Sequence, residues 1–269
     1  MNLDSKIWDK TYKSLGEIFA TTAKIVENSE RKKFFKQIEK EGKIIINHLQ
    51  VKKYEKILDI GCGSTGKITI PAAKAKIFVC GIDISPEAIK IIKGRVKKLK
   101  INKFCHFIIY DVNNNSLPFK RNTFDGVVCS LLLQHVKNLK KLISEISRVV
   151  KPGKKIYLSR LYNKFYIFNI PYLPITWLSE KTRDGRAKIY FHSFSEIEKT
   201  LKSNNIKILK VGSFYRCIPI YLSILYSRPI IRFLLSKILS PKKINRLSKD
   251  NPCKSINYAD SWVILGEKE

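Results

Sequence analysis

The sequence predicts a doubly wound α/β fold built on a largely parallel sheet of about seven strands. Three observations carry that expectation. From Tyr54 onward, short apolar strands alternate with amphipathic helices; a glycine-rich turn follows the first strand; and acidic residues end the first three strands. Strands that alternate with helices pair in parallel through right-handed crossovers. Ligands of such sheets bind beyond the carboxyl ends of the strands, so the chemistry is expected there.

The candidate strands are Lys56–Ile60, Ile77–Ile82, Cys105–Tyr110, Asp125–Ser130 and Lys155–Ser159, then Ile206–Phe214 and Tyr258–Leu265. Helical periodicity falls on Ile68–Ala75, Pro86–Leu99, Leu139–Val150 and Ser193–Ser203. Ser85 followed by Pro86 is a helix start, because Pro at the first helical position sacrifices no needed N–H. Lys151-Pro152-Gly153 reads as a helix stop. Residues 1–50 read as an N-terminal helical cap with amphipathic stretches at Trp8–Glu27 and Arg31–Leu49, ahead of a main domain over 51–269. Two insertions, near 161–192 and 215–257, carry the apolar and aromatic segments Phe165–Leu178 and Tyr215–Leu239.

Composition narrows the class. A 44% hydrophobic content is that of a globular protein. The net charge of +30, from 52 basic and 22 acidic residues, has two readings. One is a polyanionic partner such as RNA or an anionic membrane surface. The other is compositional, since Lys far outnumbers Arg and is spread along the whole chain with Ile and Asn. Cys62, Cys80, Cys105, Cys129, Cys217 and Cys253 are scattered without a CxxC pair, so they read as reduced thiols and not as a zinc site. The polar N-terminus lacks a secretory apolar segment, and the longest apolar run, Cys217–Ser227, falls short of the roughly 20 residues of a span. The expected location is cytoplasmic, with the second insertion available for peripheral membrane contact.

The densest signal is Ile57-Leu58-Asp59-Ile60-Gly61-Cys62-Gly63-Ser64-Thr65-Gly66. Gly61, Gly63 and Gly66 allow a sharp turn and close approach of a ligand to the backbone. Alone, that turn would equally suit a nicotinamide or flavin. Asp59, two residues before the first glycine, disfavours a pyrophosphate and suits an ammonium group, or else caps the turn. Asp83 ends the second strand 24 residues later, where a carboxylate accepts from ribose hydroxyls, with Ile84 beside it for an adenine face. Asp111 ends the third strand. Each acid by itself reads as a turn residue; three at successive strand ends read as one ligand's contacts.

Taken together, LDIGCGSTG (58–66), GIDIS (81–85), YDVNNNSLPF (110–119), FDGVVCSLLLQHV (124–136) and RVVKPGKKIYLS (148–159) resemble the class I S-adenosylmethionine-dependent methyltransferase family, in particular its small-molecule, methyltransferase type 11-like branch. The resemblance implies a Rossmann-like sheet with only the last strand antiparallel, and S-adenosyl-L-methionine as cofactor. It implies that Asp59 holds the methionine amino group, that Gly61, Cys62, Gly63 and Gly66 form the turn against the methionine and ribose, and that Asp83 binds the ribose hydroxyls. Ile84, Asp111 and Val112 would face the adenine, and Ser130 and Gln134 the methionine end, with His135 near the methyl. Gly66 stands one residue later than the family's commonest third glycine.

Methyl transfer from a sulfonium is an in-line displacement that rests on alignment, and a base is needed only for an acceptor that must lose a proton. His135 is the leading candidate base, against a reading as a helix-start histidine; His192 and Tyr162 are weaker candidates, and His106 reads as structural. After the fourth strand, Cys129-Ser130-Leu131-Leu132 replaces the Asn/Asp-Pro-Pro-aromatic turn of base-amino methylation, and Cys129 reads as packing and not as a nucleophile. The two insertions, with Phe165, Tyr166, Trp177, Tyr221 and Phe233, are expected to line an apolar acceptor pocket or else to enlarge the core. The expectation is methyl transfer to a small or lipid-linked acceptor. The alternatives are an RNA methyltransferase and a non-catalytic cofactor-binding protein.

Overall fold

The computed structural model describes Lys6, Asp9, Tyr190 and residues 28–113, 116–162, 192–215, 251–253 and 261–269. The chain runs through α1 (Asn28–Leu49), β1 (Lys56–Ile60), α2 (Thr69–Lys74), β2 (Phe78–Asp83), α3 (Pro86–Lys98), β3 (Cys105–Ile109) and β4 (Phe124–Cys129). It continues through α4 (Leu139–Val149), β5 (Val150–Tyr162), α5 (Phe194–Lys202), β6 (Ile206–Tyr215), β7 (Asn251–Cys253) and β8 (Ser261–Lys268). The strands form one sheet in the order β3-β2-β1-β4-β5-β8-β6-β7. β1 to β5 pair in parallel, and β8 runs antiparallel to both β5 and β6. The reversal of winding at β1 and β4 is the switch point of a doubly wound sheet.

Strand alternation explains the two packed faces. Ile57 on β1 and Val128 on β4 meet Ile45, Ile46 and Leu49 of α1 on one face. Their neighbours Leu58, Val127 and Cys129 point the other way, into a core with Leu142, Ile143 and Ile146 of α4 and Ile197 and Leu201 of α5. A parallel strand covered on both faces has no polar side, which is why β1 and β4 read as near-continuous apolar runs. Truncating one such Ile to Ala costs about 2–5 kcal/mol. Trp262 of β8 is fully buried, with its ring 5.4 Å from Phe194 at the start of α5.

Local chemistry sets the helix starts. Ser85 accepts the Ala88 N–H at 3.1 Å ahead of Pro86 on α3, Asn138 caps α4, and Ser193 with Glu196 forms a capping box on α5. Two expectations need correction. The sheet has an eighth strand, because β7 pairs antiparallel with β6 through Ser213 and Cys253, within the span read as an insertion. The helix before Lys151-Pro152-Gly153 does stop, at Val149, but β5 begins at Val150 and not at Lys155, so it takes in Pro152 and Gly153; a register shift between Phe124 and Gly126 on β4 accommodates this, with Gly153 at φ +70°. The last strand is described over Ser261–Lys268, and its expected start at Tyr258 lies outside the described residues. The same is true of the helix expected over Trp8–Glu27 (apart from Asp9) and of both apolar segments between 163–189 and 216–250. Among the described residues no helix is long and apolar enough to cross a membrane.

Candidate functional site

A cavity of about 350 Å³ opens at the carboxyl ends of β1 to β4. That size is within the range of small-ligand sites. Its floor is the turn after β1. Gly61, at φ +71°, donates its N–H to the Ile82 carbonyl at 2.8 Å, and Cys62 donates to the same oxygen at 3.1 Å. Gly63 follows at φ +58°, so the turn needs two left-handed residues in three positions. A Cβ on Gly61 would lie 3.0 Å from Leu132 on the cavity wall, and one on Gly81 would meet Phe107 at 2.9 Å and the Cys62 sulfur at 3.0 Å. Small residues therefore let the turn, β2 and the cavity wall close together. From α3, Arg95 donates to the carbonyls of Ser64 and Thr65, which ties the turn to the helix that follows β2.

Gly66 is not among the cavity's lining residues, unlike the other positions expected to contact the cofactor. Its left-handed φ of +66° turns the chain into α2, and a Cβ there would strike Ile70 and Ile92 at 2.7–2.8 Å. The lack of a Cβ lets these two side chains pack close under the turn.

Two of the acids are deeply buried. Asp59 accepts the Thr69 hydroxyl at 3.2 Å, and burial pushes its carboxyl up to about 7, with the Asp83 charge adding to the shift and Thr69 and Lys67 opposing it. Asp83 accepts the backbone N–H groups of Gly63 at 2.9 Å and Ser85 at 3.0 Å; burial raises it, those N–H groups work against the rise, and Asp9 adds to it. Asp111 accepts the Asn113 N–H at 2.9 Å, closing the turn after β3 beside Val112.

The far wall follows β4. Ser130 receives the Ser159 hydroxyl at 3.3 Å, and Leu131, half exposed, holds φ +64°. His135 ends a 3₁₀ turn over Leu133–His135, with its Nε2 3.0 Å from Gln134 Nε2. The Gln134 backbone carbonyl accepts the Tyr190 N–H at 2.7 Å, which brings the end of the first insertion to the cavity. Of the other candidate bases, His106 is exposed on the edge strand β3, Tyr162 ends β5, and His192 is outside the lining. Cys129 is buried in β4; burial and then the Asp59 charge push its thiol far up, which removes it as a nucleophile. Among the described residues no cluster of His, Cys, Asp and Glu is suited to a metal ion.

Sequence reasoning missed Tyr110, Leu131, Leu132 and Tyr190 in the lining, and Lys67 from the start of α2. It also missed Asp9, which is buried against the N-terminus of α3 and accepts from the Ser85 hydroxyl and, at 3.2 Å, from the Glu87 N–H. No local pattern joins residues so far apart in the chain.

The Methyltransf_11 family, described as a methyltransferase domain, matches residues 58–158. A 24-methylenesterol C-methyltransferase of Arabidopsis thaliana is 36% identical over 108 residues, covering 40% of this chain and 30% of that protein. A demethylmenaquinone methyltransferase of Anoxybacillus flavithermus is 30% identical over 162 residues, covering 52% of this chain and 67% of that protein. The chain belongs to the class I S-adenosylmethionine-dependent methyltransferase family. It spans 30–40% of the length of the first curated relatives it matches. The family fold extends to a solved geranyl diphosphate C-methyltransferase of Streptomyces coelicolor, bound to S-adenosyl-L-homocysteine, with a TM-score of 0.58 at 16% identity over 86% of this chain and 79% of that one.

The family's cofactor is S-adenosylmethionine, and the residues present suit it. A buried carboxyl held near neutrality at Asp59 is one that an incoming ammonium would ionise. The floor of glycines leaves room against the backbone, and Asp83 stands at the next strand end.

Proposed function

We propose that this chain catalyses methyl transfer from S-adenosylmethionine to a small-molecule or lipid-linked acceptor. The observation that carries the reading is the meeting of Asp59, Asp83 and Asp111 with the glycine turn around one cavity at the switch point of the sheet. When bound, the cofactor supplies an electrophilic methyl on a sulfonium.

The chain's own part is alignment. Asp59 would orient the ammonium, Asp83 the ribose hydroxyls, and Ile84, Asp111 and Val112 the adenine, leaving Ser130, Gln134 and His135 at the reacting end. In its Nδ1–H tautomer, His135 presents the Nε2 lone pair towards the Gln134 side-chain amide, 3.0 Å away. An acceptor hydroxyl that displaced the amide would meet that lone pair, and His135 would then take its proton. Leu131, Leu132 and Tyr190 line this end of the cavity. The names of the two curated relatives, a sterol and a demethylmenaquinone methyltransferase, favour an apolar acceptor. Peripheral contact with an anionic membrane, supported by the charge of +30, would bring a lipid-linked acceptor to the site.

Purified protein incubated with labelled S-adenosylmethionine and cell extract should place the label in the organic-extractable or small-molecule fraction. Label in RNA would replace this reading by RNA methylation through the basic surface. Cofactor binding without label in any fraction would mark a non-catalytic binder.

A further inference from the structure

We infer that Asp59 and Lys67 form a subsite for an α-amino acid group, in which Lys67 takes the carboxylate and Glu41 of α1 competes for the Lys67 ammonium. The inference rests on the cofactor reading above and assigns the amino acid end of that ligand to side chains.

A buried acid alone grips a zwitterion poorly, because the ligand's own carboxylate is repelled by it. The site needs a cation close by, and Lys67 is the one Lys or Arg among the described residues that line the cavity. It follows directly on the third glycine, and its charge reaches Asp59, favouring the ionised carboxylate.

Lys67 is held by α1 at both ends. A Cβ on Gly42 would fall 1.7 Å from the Lys67 carbonyl oxygen, so the helix backbone lies directly on this residue. Glu41, the residue before Gly42, reaches the Lys67 Nζ at 3.1 Å. That ion pair lies at the rim, with the Glu41 side chain 45% exposed and the Lys67 side chain 23% exposed. A rim pair of this kind is weak, because water competes for both charges. A ligand carboxylate on the cavity side, further from solvent, is the stronger partner, and it draws the ammonium away from Glu41. Occupancy of the cavity is thereby coupled to the seat of α1.

The test is calorimetry with S-adenosylmethionine and with its decarboxylated analogue, which keeps the ammonium and lacks the carboxylate. The parent protein should prefer the intact ligand by about tenfold or more. Lys67→Met should abolish the preference by weakening the intact ligand alone, Lys67→Arg should keep it, and Glu41→Gln should widen it severalfold. A parent with no preference, a preference that survives Lys67→Met, or an equal loss for both ligands would overturn the subsite. If circular dichroism shows Lys67→Met unfolded, Glu41→Gln decides, and an unchanged preference overturns it. Failure of the parent to bind either ligand would instead count against the cofactor reading itself.

Discussion

The Asp83 carboxylate accepts the Gly63 N–H at 2.9 Å, tying the end of β2 to the glycine turn that follows β1. One side chain therefore holds the turn in shape and lines the cavity, and ribose binding by it is part of the proposed function. Asp83→Ala should weaken S-adenosylmethionine binding by about 10–100-fold, the range for losing hydrogen bonds to a charged group. Calorimetry reads the affinity. A thermal scan without ligand should also show lower stability, because the Gly63 and Ser85 N–H groups lose their shared acceptor.

Asp59 makes both stability and binding depend on pH. Burial pushes its folded carboxyl up to about 7, from the ordinary 3.8 of an aspartate. The folded state then holds a proton that the unfolded state releases between about pH 4 and 7. Stability from the neutral carboxyl is complete below pH 4 and is lost as pH rises through 7. Asp59→Asn should flatten this profile and stabilise the ligand-free protein at pH 8 by up to about 4 kcal/mol in denaturant titrations. Cofactor affinity should run the opposite way, falling about tenfold from pH 8 to pH 6 as the proton has to be displaced.

Gly42→Ala tests the contact between α1 and the start of α2. In an open helix the change would add up to about 1 kcal/mol of stability. Here the methyl meets the Lys67 carbonyl at 1.7 Å, so the helix has to move. Overpacking of this kind costs about 1–3 kcal/mol, and Tm should fall by about 3–10 °C. A rise in Tm would show that α1 does not lie so close.

Leu131 holds a left-handed backbone conformation on the cavity wall while half exposed. Conformations of that type cost a non-glycine residue about 1–3 kcal/mol. Leu131→Gly should therefore leave Tm unchanged or raise it, while KM for the acceptor rises and cofactor affinity stays within about twofold of the parent.

Cys129 should not act as a nucleophile. Its thiol should resist iodoacetamide at pH 8 until the protein unfolds, because burial holds it protonated. Cys129→Ala should retain turnover at temperatures where it is folded; loss of turnover in folded Cys129→Ala would revive covalent catalysis at that residue.

What was legible in the sequence was the short-range part of the design. β1 runs over Lys56–Ile60 as periodicity expects, and the starts of α3, α4 and α5 follow from Pro86, Leu139 and Ser193, because caps, turns and apolar alternation act over a few residues. The strand-end acids were legible for the same reason: Asp59, Asp83 and Asp111 stand at fixed offsets from their own strands, and a parallel sheet brings such ends to one edge. Tertiary structure alone decided what depends on distant partners. The bulge that takes Pro152 and Gly153 into β5 answers to β4, and Gly66 leaves no room for a Cβ because Ile70 and Ile92 crowd it. The closure of Tyr190 on Gln134, of Asp9 on Ser85 and of Glu41 on Lys67 joins residues 26 to 76 positions apart. Contacts across such separations leave no periodic trace, since they arise when packed layers place two surfaces together and not from any preference of the chain near either residue.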